Sequence, residues 1–277
     1  MPVIALTQEM GSLAKDVALR LAEVTGLPTM RHEVLENVAG RMQVSSSVIK
    51  RLREGKAGLF ERLGTDEQSV AAYTAEEVFA VAQRGDAVLR GWGATCLLRP
   101  VSHVVRIRIT RPLELRVGWL MERLGTDDHR FAGAEVRRSD EAHASRMRAQ
   151  FGVTWGDPLL YDAVLNMERL SIDSAVAQIR HLAARPEFQD TDASRARLES
   201  LALNARVRAA LLANEMTKDV NIEVDSHSGR AVLAGIVFDD AERDEAARVT
   251  STVVGVDNVD NQLRVMSGRR RFTHSKT

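Results

Sequence analysis

The 277-residue chain is long enough for one large domain or two ordinary ones, and its 44% apolar and 27% charged residues describe a globular protein with ample core. Thirty-eight basic residues balance thirty-eight acidic ones and aromatics are only 4%, which excludes a wholesale duplex-binding surface and stacking platforms for single strands, so no specific nucleic acid partner is expected. The single Cys96 excludes an intramolecular disulfide and a cysteine metal cluster, the histidines show no paired ligand spacing, and no metal site is expected.

The N-terminus has no basic region followed by an apolar stretch, and nowhere do eighteen apolar residues run together, so a cytoplasmic protein is expected. "PVIALT" reads as a short buried strand. From Ser12 the period becomes helical, with Leu13, Val17, Leu21 and Val24 on one stripe, until Gly26 stops the helix and Pro28 forbids its continuation. A strand feeding a helix through a tight turn opens an α/β fold.

Residues 32–84 read as mostly helical, with Ser46 or Ser47 as one cap and a capping box from Thr74 to Glu77 as another. "AVLRGWG" and "HVVRIRIT" are strands, the second alternating Val105, Ile107 and Ile109 with Arg106 and Arg108. A helix with Pro112 in its first turn follows, then a polar, arginine-rich segment from about Thr126 to Gln150. "YDAVLN" returns as a strand and "SIDSAVAQIRHLAAR" as a helix. The string "ERLGTD" at Glu61 and again at Glu122 is, at each place, a helix end with a glycine stop and a Thr/Asp cap for the next element.

The expected division is residues 1–185, a polar linker over 186–196 ("PEFQDTDAS"), a small domain over 197–266 and a basic tail over 267–277 with Arg269, Arg270, Arg271 and Lys276. The small domain reads helix, strand, turn, strand, helix, strand.

The blocks "VIALTQEMGSLAKDVALRLAEVTGLP", "AVLRGWGATCLL", "RIRITRPLELRVGWLMERLG" and "FGVTWGDPLLYDAVLNMERLSIDSAVAQI" resemble, in order, the cytidylate kinase-like family of the nucleoside monophosphate kinase fold. The last block is the most specific, with Trp155, Asp157, Pro158, Tyr161, Asp162, Asn166 and Arg169 in place. The resemblance implies a P-loop kinase-like parallel sheet flanked by helices, and phosphoryl transfer from ATP to a pyrimidine nucleoside monophosphate with Mg2+. It assigns Gly11, Ser12, Lys15 and Asp16 to the phosphates of the cofactor, and Arg31, Arg90, Gly91, Gly93, Asp157 and Tyr161 to the substrate side.

Three positions depart from the family. Leu13 and Ala14 replace the later glycines of the loop, where a Cβ at φ > 0 costs ~1–3 kcal/mol. Glu141 and His143 stand where lid arginines belong, leaving Arg138, Arg146 and Arg148, with Lys15, as the cations for catalysis. Arg31 replaces an acidic residue. The expected function is therefore a nucleotide-binding regulatory or sensor protein on a degenerate kinase-like domain, with an active kinase as the alternative. ATP and Mg2+ are expected if it is active, and otherwise a bound nucleotide or none.

Residues 197–266 resemble a BON domain, through "VRAALLAN", "VNIEVDSHSGRAVLAGIV" and "VVGVDNVDNQLRV". That resemblance implies an α+β (αββαβ) module for a protein partner or self-association, with contact to a phospholipid surface less favoured. Gly235 inside a strand implies a bulge or close packing.

Overall fold

The computed structural model describes residues 2–30, 32–53, 66–91 and 93–266. Arg31, Trp92, most of the first "ERLGTD" and the basic tail lie outside the described residues. The chain divides into two compact units, Met1–Ala202 and Leu203–Thr277.

In chain order the first unit comprises β1 (Val3–Gln8), α1 (Ala14–Thr25), β2 (Thr29–Met30), α2 (His32–Arg41), α3 (Ser46–Arg53), α4 (Glu67–Arg84) and β3 (Ala87–Arg90). There follow α5 (Ala94–Leu97), β4 (Val104–Thr110), α6 (Leu113–Leu124), α7 (His129–Phe151), β5 (Ala163–Asn166), α8 (Ile172–Ala183) and the start of α9 (Asp192–Ala213). The strands form a parallel five-stranded sheet of order β2-β3-β1-β4-β5. β1 lies at its centre, with helices on both faces, which is why Val3–Leu6 are all buried and the strand reads as an unbroken apolar run. On one face Val17 and Leu21 of α1 and Val176 and Ile179 of α8 close over Ile4, Leu6, Ile107 and Ile109.

Several expectations about local structure change. Thr74 does not begin a helix: α4 is one 18-residue helix capped by Asp66, whose carboxylate accepts from Gln68 N–H at 3.1 Å and Ser69 N–H at 2.8 Å. That cap lies eight residues upstream, so Thr74 falls inside the helix on its buried face. Ser46 and Ser47 are likewise already within α3. The polar segment over 126–150 is mostly the 23-residue α7, which starts from an Asp128 cap and ends at Gly152 in the left-handed region. Only Ala132, Gly133, Val136 and Met147 of that helix are buried, too thin a stripe for its period to show. Within the span read as a linker, Pro186–Phe188 forms a 3-10 turn and α9 starts at Asp192, with the Ser194 hydroxyl 2.7 Å from Nδ1 of buried His103.

The second unit contains the rest of α9, then β6 (Ile222–His227), β7 (Arg230–Val237), α10 (Asp240–Ser251) and β8 (Asn258–Val265). β6 and β7 form an antiparallel hairpin through Ser228 and Gly229, both at positive φ, and β8 runs parallel to β7. Leu203, Val207 and Leu211 of α9 and Ala246 and Val249 of α10 form a core with Val224, Leu233 and Leu263. An added Cβ at Gly235 would stand 2.7 Å from the Asn221 carbonyl oxygen, the close packing expected there. Among the described residues, no helix is long and apolar enough to cross a membrane.

Candidate functional site

In a parallel sheet with helices on both faces, ligands bind beyond the carboxyl ends of the strands. Here β1 leads through Glu9–Leu13 into α1, and two residues of this turn are left-handed: Gly11 at φ 76° and Leu13 at φ 65°. Gly11 is required twice over, because an added Cβ would also lie 3.1 Å from the Arg116 backbone. Leu13 holds its conformation despite a Cβ, at a cost of ~1–2 kcal/mol, and serves as the N-cap residue of α1 without a side-chain cap. The Asp16 and Val17 N–H groups donate to the Leu13 carbonyl, each at 3.0 Å, which leaves those of Ala14 and Lys15, ahead of them in the first turn, without an acceptor inside the helix. The Ser12 hydroxyl is buried and has no hydrogen-bond partner among the described residues.

This loop forms one wall of a cavity of about 510 Å³. Lys15 of α1, Lys50 of α3, Arg90 of β3, Arg123 of α6 and Arg146 of α7 all line it, so five helices and strands deliver cations to one space. Arg90 is buried and donates to Gln8 Oε1 at 3.0 Å. Burial pushes the Arg146 guanidinium below the usual arginine range, with the Glu67 carboxylate acting against that shift.

Three carboxylates also line the cavity: Glu9, Asp16 and Asp140. Two are neutralised from behind. Glu9 accepts from the Arg108 guanidinium at 2.6 Å and from the Thr110 hydroxyl at 2.7 Å, and Arg116 Nη1 donates to Asp140 at 2.9 and 3.1 Å. Burial raises the Asp140 carboxyl above the usual range, and Arg116 works against the shift. With those two spoken for, the cavity is cationic and suits a polyanion.

The "WGDPLLYD" block supports this wall. The Trp155 indole donates to the Thr7 hydroxyl at 3.0 Å, with the Arg108 guanidinium 4.2 Å from its ring and the His143 ring also at 4.2 Å. Tyr161 is buried and donates to the Trp155 carbonyl at 2.7 Å, and burial raises its phenol above the usual range. Asp157 caps the 3-10 turn Pro158–Leu160, accepting from Leu159 N–H at 2.9 Å. Asp162 accepts from Arg106 at 2.6 and 3.1 Å and from its backbone N–H at 2.7 Å.

Of the expected site residues, Gly11, Ser12, Lys15, Asp16, Arg90, Gly91 and Arg146 come together at the cavity. Asp157, Tyr161 and Gly93 are not among its lining residues. Gly93 ends the turn before α5, where a Cβ would fall 2.8 Å from the Phe151 ring. Arg138 pairs with Glu135 at 2.7 Å on the outer side of α7, and Arg148 is exposed, so neither lines the cavity. His143 lines it, while exposed Glu141 does not.

Sequence reasoning missed Lys50, Trp119, Arg123 and the trio of half-buried Glu9 with buried Arg108 and Arg116. The trio carried a signal: arginines alternating with apolar residues in an interior strand have to be paired, and a glutamate one residue past β1 is in reach of Arg108.

Residues 3–169 match the Cytidylate kinase-like family, and residues 201–267 match the BON domain. A cytidylate kinase from Pyrobaculum aerophilum is 27% identical over 177 residues, covering 64% of this chain and 89% of that protein. The crystal structure of an uncharacterized protein from Eubacterium ventriosum covers 67% of this chain and all of its own, with a TM-score of 0.52 at 21% identity, and so shares the fold. With more than half of its length matched, from β1 through the Trp155–Asn166 block, the chain belongs to the cytidylate kinase-like family and carries a BON domain C-terminal in sequence to its kinase-like domain.

Proposed function

We propose that the kinase-like domain binds a nucleotide by its phosphates at Gly11–Asp16 and acts as a nucleotide-responsive regulatory module, with the BON domain as its interaction or self-association surface. The observation that carries this reading is the buried, unpartnered Ser12 hydroxyl at the N-terminus of α1, on the wall of a cavity that five cations line. A buried hydroxyl left unpaired costs ~1–3 kcal/mol, which a phosphate oxygen would offset.

Magnesium fits as an ion carried in by the phosphates. Among the described residues no group of three His, Cys, Asp or Glu side chains forms a cage, and arginines occupy Glu9 and Asp140. That leaves Asp16 to hold a phosphate-bound ion, which would neutralise charge between carboxylate and phosphate.

Three placements favour regulation over catalysis. At the lid positions Asp140 is tied to Arg116, Glu141 is exposed, and His143 lies against Trp155. Loss of an arginine that stabilises the transferring phosphoryl lowers turnover by ~10³ or more. The alternative reading, an active kinase for a pyrimidine nucleoside monophosphate, is favoured by Lys15, Arg123 and Arg146 sharing one cavity. Incubation with ATP, Mg2+ and cytidine monophosphate separates the two. The regulatory reading expects ATP-dependent thermal stabilisation with ADP formation at least ~10³ below the ~1–100 s⁻¹ usual for kinases. Turnover within that range would overturn it in favour of the enzyme.

A further inference from the structure

Phosphates account for the cations of the cavity, but not for the indole among them. Trp119 and Arg123 stand one turn apart on the same face of α6, both line the cavity, and the Arg123 guanidinium lies 5.3 Å from the centroid of the Trp119 ring. Trp119 is also packed against the apolar cluster of Val117, Leu120, Ala132 and Val136, which fixes the ring in place. A cavity of about 510 Å³ is far larger than a phosphate group requires and falls in the range of small-molecule sites. An indole held rigidly at its wall is a poor partner for phosphate and a good one for a flat π-system. The adjoining guanidinium is itself planar and stacks on bases.

We propose that Trp119, flanked by Arg123, is the stacking platform for the base of the bound nucleotide, and so the residue by which this site prefers a nucleotide to a bare polyphosphate. This inference rests on the nucleotide reading above.

The test is calorimetric titration of the full chain with Mg-ATP and, separately, with magnesium tripolyphosphate, in the natural protein and in Trp119→Leu and Trp119→Phe. Leucine keeps the apolar packing and removes the π-face; phenylalanine keeps a smaller one. The expected result is that the natural protein binds ATP more tightly than tripolyphosphate. Trp119→Leu weakens ATP about tenfold or more and leaves tripolyphosphate within about twofold, with Trp119→Phe between. Equal affinity of the natural protein for both probes, an unchanged ATP affinity in Trp119→Leu, or equal losses for both probes would each overturn the inference while leaving phosphate binding intact. Binding of neither probe by the natural protein would overturn both.

Discussion

Arg116 Nη1 bonds both carboxylate oxygens of Asp140, at 2.9 and 3.1 Å, and thereby ties α6 to α7 across the cavity wall. The same guanidinium donates from Nε to the Arg111 carbonyl at 3.0 Å and stands 3.6 Å from Glu9. Both partners are largely out of water, so the pair is costly to break from one side. Arg116→Met is expected to destabilise the kinase-like domain by ~3–5 kcal/mol, because it strands Asp140 and weakens the hold on Glu9. Asp140→Asn should cost less, since an amide oxygen still accepts from Arg116 and burial already disfavours the charged carboxylate. Urea unfolding of the two variants checks this, and a cost under about 1 kcal/mol for Arg116→Met would contradict it.

The loop after β1 stores strain at Leu13. Leu13→Gly is expected to be more stable than Leu13→Ala by ~1 kcal/mol, because both lose the same packing but only glycine relieves the left-handed backbone. Gly11→Ala should be destabilising by ~1–3 kcal/mol, from φ 76° together with the 3.1 Å approach to Arg116. Thermal melts of the three variants decide it; an alanine at 13 as stable as glycine would show that Leu13 stores no backbone strain.

Much of this frame was legible in the chain itself. The apolar run of β1, the Gly26 stop and the strand at Val104–Thr110 follow from period and turn chemistry, and the structure has all three. Of the candidate site, the Gly11–Asp16 loop, Arg90, Gly91 and Arg146 were legible, because each lies in or beside a segment that carries the family resemblance. Arg123 and Lys50 reach the cavity through the packing of α6 and α3, which no local pattern encodes. Arg138 and Arg148 looked equivalent to Arg146 because their helix has too few buried residues for its inner face to be read. Asp157 and Tyr161, conspicuous in the "WGDPLLYD" block, cap a turn and brace Trp155. A motif residue can build a site's wall without lining it.

His103 offers a pH test. Burial pushes its imidazole below the ordinary 6.5, and the Asp190 carboxylate pulls in the opposite direction. A base depressed in the folded state is neutral there, so the unfolded chain takes up the extra proton first. Stability is full above pH 6.5 and is lost as pH falls through that value toward the folded pKa. The melting temperature of the kinase-like domain should therefore drop between pH 7.5 and pH 5.5, and His103→Asn, which can still bond Ser194, should flatten that slope. An identical slope in the variant would assign the dependence to other groups.

In the BON domain, Gly235 combines φ 139° with the close Asn221 carbonyl. Gly235→Ala is expected to lower the stability of this unit by ~1–3 kcal/mol. The prediction fails if hydrogen exchange across β6 and β7 is as slow in the variant as in the natural protein.

On the function proposed above, the loop from Gly11 to Asp16 holds the phosphates of a nucleotide. Calorimetric titration of the full chain with ATP and Mg2+, beside Lys15→Ala, tests it most directly. Saturable binding that weakens at least tenfold in Lys15→Ala is the predicted result. Absence of binding heat and of any thermal shift with ATP, ADP and cytidine nucleotides, or an affinity indifferent to Lys15, would contradict it.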